Sequence, residues 1–436
     1  MVYRNHTGRG ETIISVAFSS VYSIRKAVLL LTVAVLPRAI FAFNISATME
    51  AKFQVDNRFT VNPRILGELW GDARLISLKQ DWQMKVSAAQ RISSLANDSQ
   101  GKLYQAFVEK HLRFLDSHLR LGRFQRTDVS GLYTLDGAQL DYRLAGWYWQ
   151  FYGGSPHRID HVQSADGDYV FGLAGEYRQD LHWQWGWLAF SGFTFRTGFQ
   201  QFKNSRLSRR LRGGANYTGK LAGRPFETGL NAVYRFDRRN FEDVFFNFRL
   251  DVTDSLRFRS NYEYYRPKPP FPSFRERFVS AYALGEQSLF RAELHHRPAR
   301  TWHYFIGGQR ATKADGKDGH GIRAGGDLAL PGDIRVNILY DFLQLEKERA
   351  HSAYGGIAQT LNSRLEWHLN AALRREEKLL YGINWARGAE IGGRYMLDYS
   401  KVIILSFSYI ANSRRRDDYV GALRFIYYFD RFVPKQ

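Results

Sequence analysis

The sequence predicts an all-β fold, a closed antiparallel transmembrane β-barrel with an even strand number between about 18 and 22. Three observations carry that expectation. Apolar and polar side chains alternate with a period of two in segment after segment. Those segments run to about ten to thirteen residues, the length of a tilted strand crossing a bilayer. Tight turns alternate with longer polar loops, the asymmetry of barrels that face two different compartments.

Composition frames the alternation. Of 436 residues, 15% are aromatic (32 Phe, 25 Tyr, 10 Trp) and 24% are charged. A chain that is both so aromatic and so charged has to separate the two kinds of side chain at short range, and a strand does so at every second residue. A barrel of this length is one unit, because barrels grow by adding hairpins. Cysteine is absent, which excludes disulfides, c-type haem attachment and thiolate metal sites; no cofactor is expected.

The apolar stretch Ala27–Leu36 is about half the roughly twenty residues that a helical span needs. With Arg25 and Lys26 before it and Ile40-Phe41-Ala42 after it, the stretch reads as a secretory signal. Residues 1–42 are therefore expected to be a cleaved signal with an over-long start, and 43–436 the barrel. Cleavage removes five basic residues and one acidic, taking the formal charge from +20 to about +16.

The alternation is clearest in the second half. Leu256, Phe258, Tyr262 and Tyr264 oppose Arg257, Arg259, Asn261 and Glu263; Phe246, Phe248, Leu250 and Val252 oppose Asn247, Arg249 and Asp251. Phe290, Ala292 and Leu294 oppose Arg291, Glu293 and His295, and Ile334, Val336, Ile338, Tyr340 and Phe342 oppose Arg335, Asn337 and Asp341. Leu365, Trp367, Leu369 and Leu373 oppose Glu366, His368, Asn370 and Arg374. A soluble sandwich would also alternate, but its strands average five or six residues and do not end in Tyr or Trp as these do. An Arg turned to lipid at mid-bilayer costs about 2–4 kcal/mol, so the polar faces are expected to line the lumen. The candidate lumen residues are Arg249, Arg257, Arg259, Glu263, Arg291, Glu293, Arg335, Asp341, Glu366, Arg374 and Arg424.

Tight turns are expected at Asp180-Leu181, Asp254-Ser255, Gly332-Asp333 and Asn362-Ser363, and longer loops at 202–208, 266–277, 312–319 and 412–418. Prolines in Arg266-Pro-Lys-Pro-Pro-Phe-Pro272 exclude a ladder there. About twenty-three candidate strands can be counted, and an odd number would leave the termini on opposite sides. The surplus lies in 379–397, which reads as one strand or two, or in 287–320. The glycine pairs 153–154, 213–214, 307–308, 325–326, 355–356 and 392–393 read as bulges or bends.

Fixed cations along a narrow aqueous path concentrate anions, and guanidinium rings favour anion passage. Acids on the same faces supply ion-pair partners, so a plain solvating ladder is the competing reading. Arg206, Arg209, Arg210 and Arg212, with Arg414-Arg415-Arg416, read as loop or strand-end charge suited to lipopolysaccharide phosphates. A pI near 9.9 does not indicate nucleic-acid binding, because the charge is spread over every hairpin. His295 and His296 are adjacent and so point to opposite faces of a strand. No catalytic set can be placed, and an enzyme is not expected.

The last strand, Tyr419–Phe429, sets Leu423, Phe425, Tyr427 and Phe429 on one face. It resembles the aromatic C-terminal strand by which barrel-assembly machinery recognises Gram-negative outer-membrane proteins, although Asp430–Gln436 follow. His118-Leu-Arg-Leu-Gly-Arg-Phe124, Leu135-Asp-Gly-Ala-Gln-Leu-Asp-Tyr142 and Trp149-Gln-Phe-Tyr-Gly-Gly-Ser-Pro156 resemble a strand–loop–strand pattern of large bacterial porin-like barrels, the alginate-export family among them. That resemblance implies a basic lumen guiding an acidic polysaccharide outward. The expected function is an outer-membrane channel for a small anionic or polysaccharide solute. The alternative is a structural sleeve for a periplasmic, electron-transfer or exporter partner.

Overall fold

The computed structural model describes residues 43–57, 64–77, 79, 81–94, 100–113, 116–128, 131–157, 167–204, 206–265, 287–313, 316–346, 348–377, 384–413 and 418–431. The expected signal, the proline segment 266–272 and Arg414–Arg416 lie outside the described residues.

One sheet of 22 strands accounts for nearly everything described. The first eight are β1 (Phe43–Asp56), β2 (Arg64–Ser77), β3 (Trp82–Ser93), β4 (Gln100–Leu112), β5 (Ser117–Asp128), β6 (Gly131–Leu144), β7 (Trp147–His157) and β8 (Tyr169–Trp185). Then come β9 (Leu188–Lys203), β10 (Leu207–Leu221), β11 (Arg224–Arg235), β12 (Asn240–Asp251), β13 (Leu256–Tyr265), β14 (Gln287–Ala299), β15 (Trp302–Lys313) and β16 (Asp318–Leu330). The last six are β17 (Ile334–Leu345), β18 (Glu348–Thr360), β19 (Leu365–Glu377), β20 (Trp385–Asp398), β21 (Lys401–Asn412) and β22 (Asp418–Arg431). Each strand pairs antiparallel with the next, and β22 returns to β1 with Phe425 opposite Ala51 and Arg424 opposite Lys52. Closure leaves no unpaired edge, which hydrocarbon would penalise at every exposed N–H and C=O. The strand number sits at the top of the expected range. Among the described residues, the doubtful segment 379–397 holds one strand, β20, and 287–320 holds β14, β15 and the start of β16.

The connections sort by end. Those leaving even-numbered strands have two to four residues, whereas those leaving odd-numbered strands reach twenty-one, between Tyr265 and Gln287. Asp254-Ser255, Gly332-Asp333 and Asn362-Ser363 are short-end turns as expected. Asp180-Leu181 is not a turn. β8 runs on to Trp185 through a register shift between Asp180 and Trp183, and the chain reverses at Gly186. An extra residue in one strand breaks the alternation and imitates a turn. Two reversals, Ala145-Gly146 and Ala222-Gly223, have positive φ at both residues, the mirror-image turn that matches strand twist.

One sheet face carries most of the exposed large apolar side chains, including Phe53, Leu121, Ile306, Ile338, Leu373, Leu405 and Leu423. Trp82, Trp185, Trp187, Trp302 and Tyr399 are exposed near the short-turn end, where rings favour the headgroup boundary. The apolar face is the outer one and the other face is the interior.

None of the six glycine pairs marks a register shift, and five of them share another role. The shifts fall elsewhere, at Ser87/Ala88, Thr218/Gly219, Val233/Tyr234, His296/Ala299 and Met396/Asp398 besides β8. What the interior glycines of those five pairs provide is room for a neighbour's side chain. A Cβ on Gly392 would lie 2.4 Å from the His368 ring, and one on Gly325 2.8 Å from the Phe305 ring. At the sixth pair, Gly154 has φ +157 and its Cβ would meet the Asp136 carbonyl at 2.2 Å, so close backbone approach explains it.

Candidate functional site

The eleven residues expected in the lumen share the interior face. The register sets Asp251 opposite Arg257 and Arg249 opposite Arg259, then Arg259 opposite Glu293 and Asn261 opposite Arg291. Asp341 lies opposite Arg323, and Arg335 opposite Ala329. Arg374 faces Ser352 and Glu366 faces Thr360 on β18. Glu263 lies opposite Phe245, and Arg424 lies opposite Lys52.

Most of these residues are knitted into ion pairs. Arg257 Nε reaches Asp251 Oδ1 at 2.5 Å, and Arg249 bridges Glu227 at 3.6 Å and Asp251 at 3.7 Å. Arg323, which the sequence reading did not single out, donates to Glu293 at 2.6 Å and to Asp341 at 2.9 Å. It reaches Glu293 across β15, where Gly307 leaves the space; a Cβ there would stand 2.6 Å from Glu293 Cγ. Arg424 makes a two-pronged contact with Glu50, both arms at 2.7 Å. Arg374 pairs with Glu376 at 2.8 Å and Glu366 with Arg394 at 3.7 Å. Glu263 accepts from Asn261 at 3.1 Å, and Arg291 donates to Gln309 at 3.5 Å.

Arg259 and Arg335 differ from the rest. Neither makes an ion pair or a hydrogen bond among the described residues. Arg259 stands directly opposite another guanidinium, Arg249. The carboxylate across from it on β14, Glu293, is engaged by Arg323 and by His295 Nε2 at 3.1 Å. His295 stacks on His303, their nitrogens 3.0 Å apart, and His303 reaches Asp327 at 3.1 Å. His296 points outward to the Tyr304 hydroxyl at 2.6 Å.

The interior also holds what alternation alone did not announce. Phe107, Phe124, Tyr133, Leu135, Tyr152, Val170 and Phe202 form a buried cluster on the inner wall from β4 to β9. Leu289, Ala311, Leu343, Leu345 and Ala350 form a second on β14 to β18. Both lie mainly toward the end with the longer connections. The available signal was a run apolar in both phases, such as Leu339-Tyr-Asp-Phe-Leu-Gln-Leu345. Of the arginines read as loop or strand-end charge, Arg206 precedes β10 and Arg209, Arg210 and Arg212 fall in its first six residues, with Arg210 buried and paired to Glu242 at 2.7 Å.

A closed 22-stranded sheet with an apolar outer face, exposed aromatics toward its short-turn end and a charged interior defines a porin-like barrel of the outer membrane. Solved structures of like architecture include OccK5 (OpdH) of Pseudomonas aeruginosa, at 10% identity over 90% of this chain and 99% of that one, TM-score 0.44. The translocation pore of the P pilus usher PapC is similar at 8% identity over 88% and 99%, TM-score 0.41. The siderophore receptor PirA from Pseudomonas aeruginosa is similar at 9% identity over 88% and 80%, TM-score 0.48. These likenesses are of fold alone. No family model matches the chain, and no curated protein matches it, so the resemblance of the β5–β7 segment to the alginate-export family has no counterpart there.

Proposed function

We propose that this barrel is an outer-membrane channel that passes an anionic solute along its arginine-rich interior. The facing pair Arg249 and Arg259 carries the reading. Like charges directly opposite on a sheet repel, and the carboxylate on the other side of Arg259, Glu293, is already held by Arg323 and His295. A passing carboxylate, phosphate or sulfate oxyanion supplies the missing negative charge, in a geometry that planar guanidinium groups bind with two hydrogen bonds. The paired arginines around it keep the wall rigid, while the uncompensated ones set the sign of the potential along the path. A polymeric anion such as an acidic polysaccharide meets the same chemistry at successive heights. In this reading the chain does no catalysis, binds no nucleic acid, and has as partners outer-membrane lipid, lipopolysaccharide and the barrel-assembly machinery.

The test is the single-channel current of the refolded barrel in a planar bilayer under a salt gradient. A reversal potential favouring anions is expected, and Arg259→Ala should move it toward zero more than Arg424→Ala, whose guanidinium is held by Glu50. A cation preference would overturn the reading. A folded barrel that never conducts would also overturn it and favour a sleeve awaiting a periplasmic partner.

A further inference from the structure

A second group of arginines surrounds a recess in the inner wall, away from Arg249 and Arg259. Arg126 of β5, Arg196 of β9, and Arg210 and Arg212 of β10 line a cavity of about 310 Å³, together with Tyr148, Gln150, Tyr152, Gln200 and one acid, Glu176. The register explains the hollow. Gly172 and Ala174 on β8 lie opposite Gln200 and Gly198 on β9, and Gly198 lies opposite Arg212. Ala174 and Gly198 therefore make the floor and longer side chains make the rim. Gly172 lets Tyr152 lie flat on the wall, since a Cβ there would stand 2.3 Å from the phenol ring. Tyr152 is fixed further, with the Arg126 guanidinium 3.3 Å above its ring and Gln200 Nε2 donating to its hydroxyl at 3.2 Å.

The charges in the recess are unequal. Glu176 is shared between Arg196 at 2.7 Å and Arg178 at 2.5 Å. Glu242, the partner of Arg210, is shared with Arg235 at 3.4 Å. Arg212 is exposed to the interior and has neither an ion pair nor a hydrogen bond among the described residues. A neighbouring hollow toward the short-turn end has the opposite balance, lined by Glu109, Asp116, Asp141 and Glu176 against Arg143 and Arg178. Basic and acidic recesses adjoin on one wall, so the positive one is a local feature and not a consequence of the chain's net charge.

From this geometry we infer that the recess at Arg126, Arg196, Arg210 and Arg212 is a saturable binding site for a small oxyanion, with Arg212 as the group that engages it. Its volume is at the lower limit for ligand pockets, about 300 Å³, which suits a compact anion and excludes a folded chain. The site gives the anion a stopping point before release, so it deepens the channel reading and rests on it for its role. Binding itself does not require conduction.

Isothermal titration of pyrophosphate into the refolded full-length barrel in detergent tests the site, with current block by pyrophosphate as a second readout. One saturable site is expected. Arg212→Gln should weaken it about tenfold, a change equal to about 1.4 kcal/mol, and Arg212→Lys should recover part of the loss. Arg349→Gln, which removes an exposed charge from the outer face of β18, should leave it unchanged. Equal effects of the two Gln variants, or no saturable binding, would overturn the site. Anion-selective current without saturable binding sinks the site alone. Saturable, Arg212-dependent binding in a barrel that never conducts sinks the channel alone.

Discussion

Two stretches of the interior obey the same alternation and carry opposite chemistry. On β12 to β17 the inward positions include Arg249, Asp251, Arg257, Glu293, Arg323 and Asp341, tied by ion pairs, with Arg259 unpaired among them. On β5 to β9, toward the end with longer connections, they include Phe124, Tyr133, Leu135, Tyr152, Val170 and Phe202, buried against one another beside the arginine recess. The outer faces of both stretches are alike and apolar. Lipid dictates one face of every strand and leaves the other free, so the differences between strands that matter to function lie inside. Packing in one stretch and charge in the other give each a separate failure mode. Phe124 is 1% exposed and meets Phe107 edge-on at 6.4 Å. Phe124→Ala should cost about 3–5 kcal/mol through the cavity it leaves, read by urea unfolding of the barrel in lipid vesicles, with selectivity little changed. A cost below about 1 kcal/mol would mean that the cluster is not packed.

The distinction between faces can be broken within one strand. Ile338 is 62% exposed on the outer face of β17, next to inward Asn337. Ile338→Arg should destabilise by about 2–4 kcal/mol in vesicles, whereas Asn337→Arg should cost well under 1 kcal/mol. Equal costs would refute the assignment of faces. The charged stretch has its own test in Arg323, which among the described residues is the cation that touches both Glu293 and Asp341. Arg323→Met leaves two nearly buried carboxylates, Glu293 and Asp341, without the cation they share. The expected loss is about 2 kcal/mol, less than the ~3–5 kcal/mol of a dry broken pair because interior water relieves part of it. Adding Glu293→Gln and Asp341→Asn should recover part of that loss.

The sequence shows the barrel and its faces more readily than the use made of the interior. Alternation is imposed by lipid on every strand, so Ile334–Phe342 or Leu365–Arg374 announces its outer face directly. Turn chemistry is less legible: Ala145-Gly146 and Ala222-Gly223 lack the usual Asn-Gly signature, and the bulge near Asp180 imitates a turn. Which inward arginine is held by a carboxylate depends on neighbours far away in the chain. Arg424 meets Glu50 across the barrel's closure, and Arg323 crosses over Gly307 to reach Glu293. Alternation marks Arg257 and Arg259 as equals, and only the register shows that the first has Asp251 while the second has Arg249 opposite. The recess at Arg212 depends on small residues aligned across β8 and β9, a coincidence of register that neither strand shows alone.

The smallest effect expected is at the rim, where the charged stretch leaves the membrane. Asp237 lies between β11 and β12 and takes a 2.6 Å ion pair from Arg235. Burial pushes its carboxyl up, but the Arg235 guanidinium outweighs burial and holds it below the usual carboxylate range. A carboxyl whose folded value is depressed adds stability that is fully present above its unfolded value near 3.9 and is lost as pH falls through the folded value. The contact is partly open to water, so its contribution is well under 1 kcal/mol. Asp237→Asn should therefore lower stability slightly at pH 7 and abolish that part of the pH dependence below about pH 4. Arg323→Met should act at neutral pH by an amount several times larger. If the two variants gave equal losses at pH 7, the rim pair would be as strong as the interior ladder, and the contrast between water-relieved and packed charge would fail.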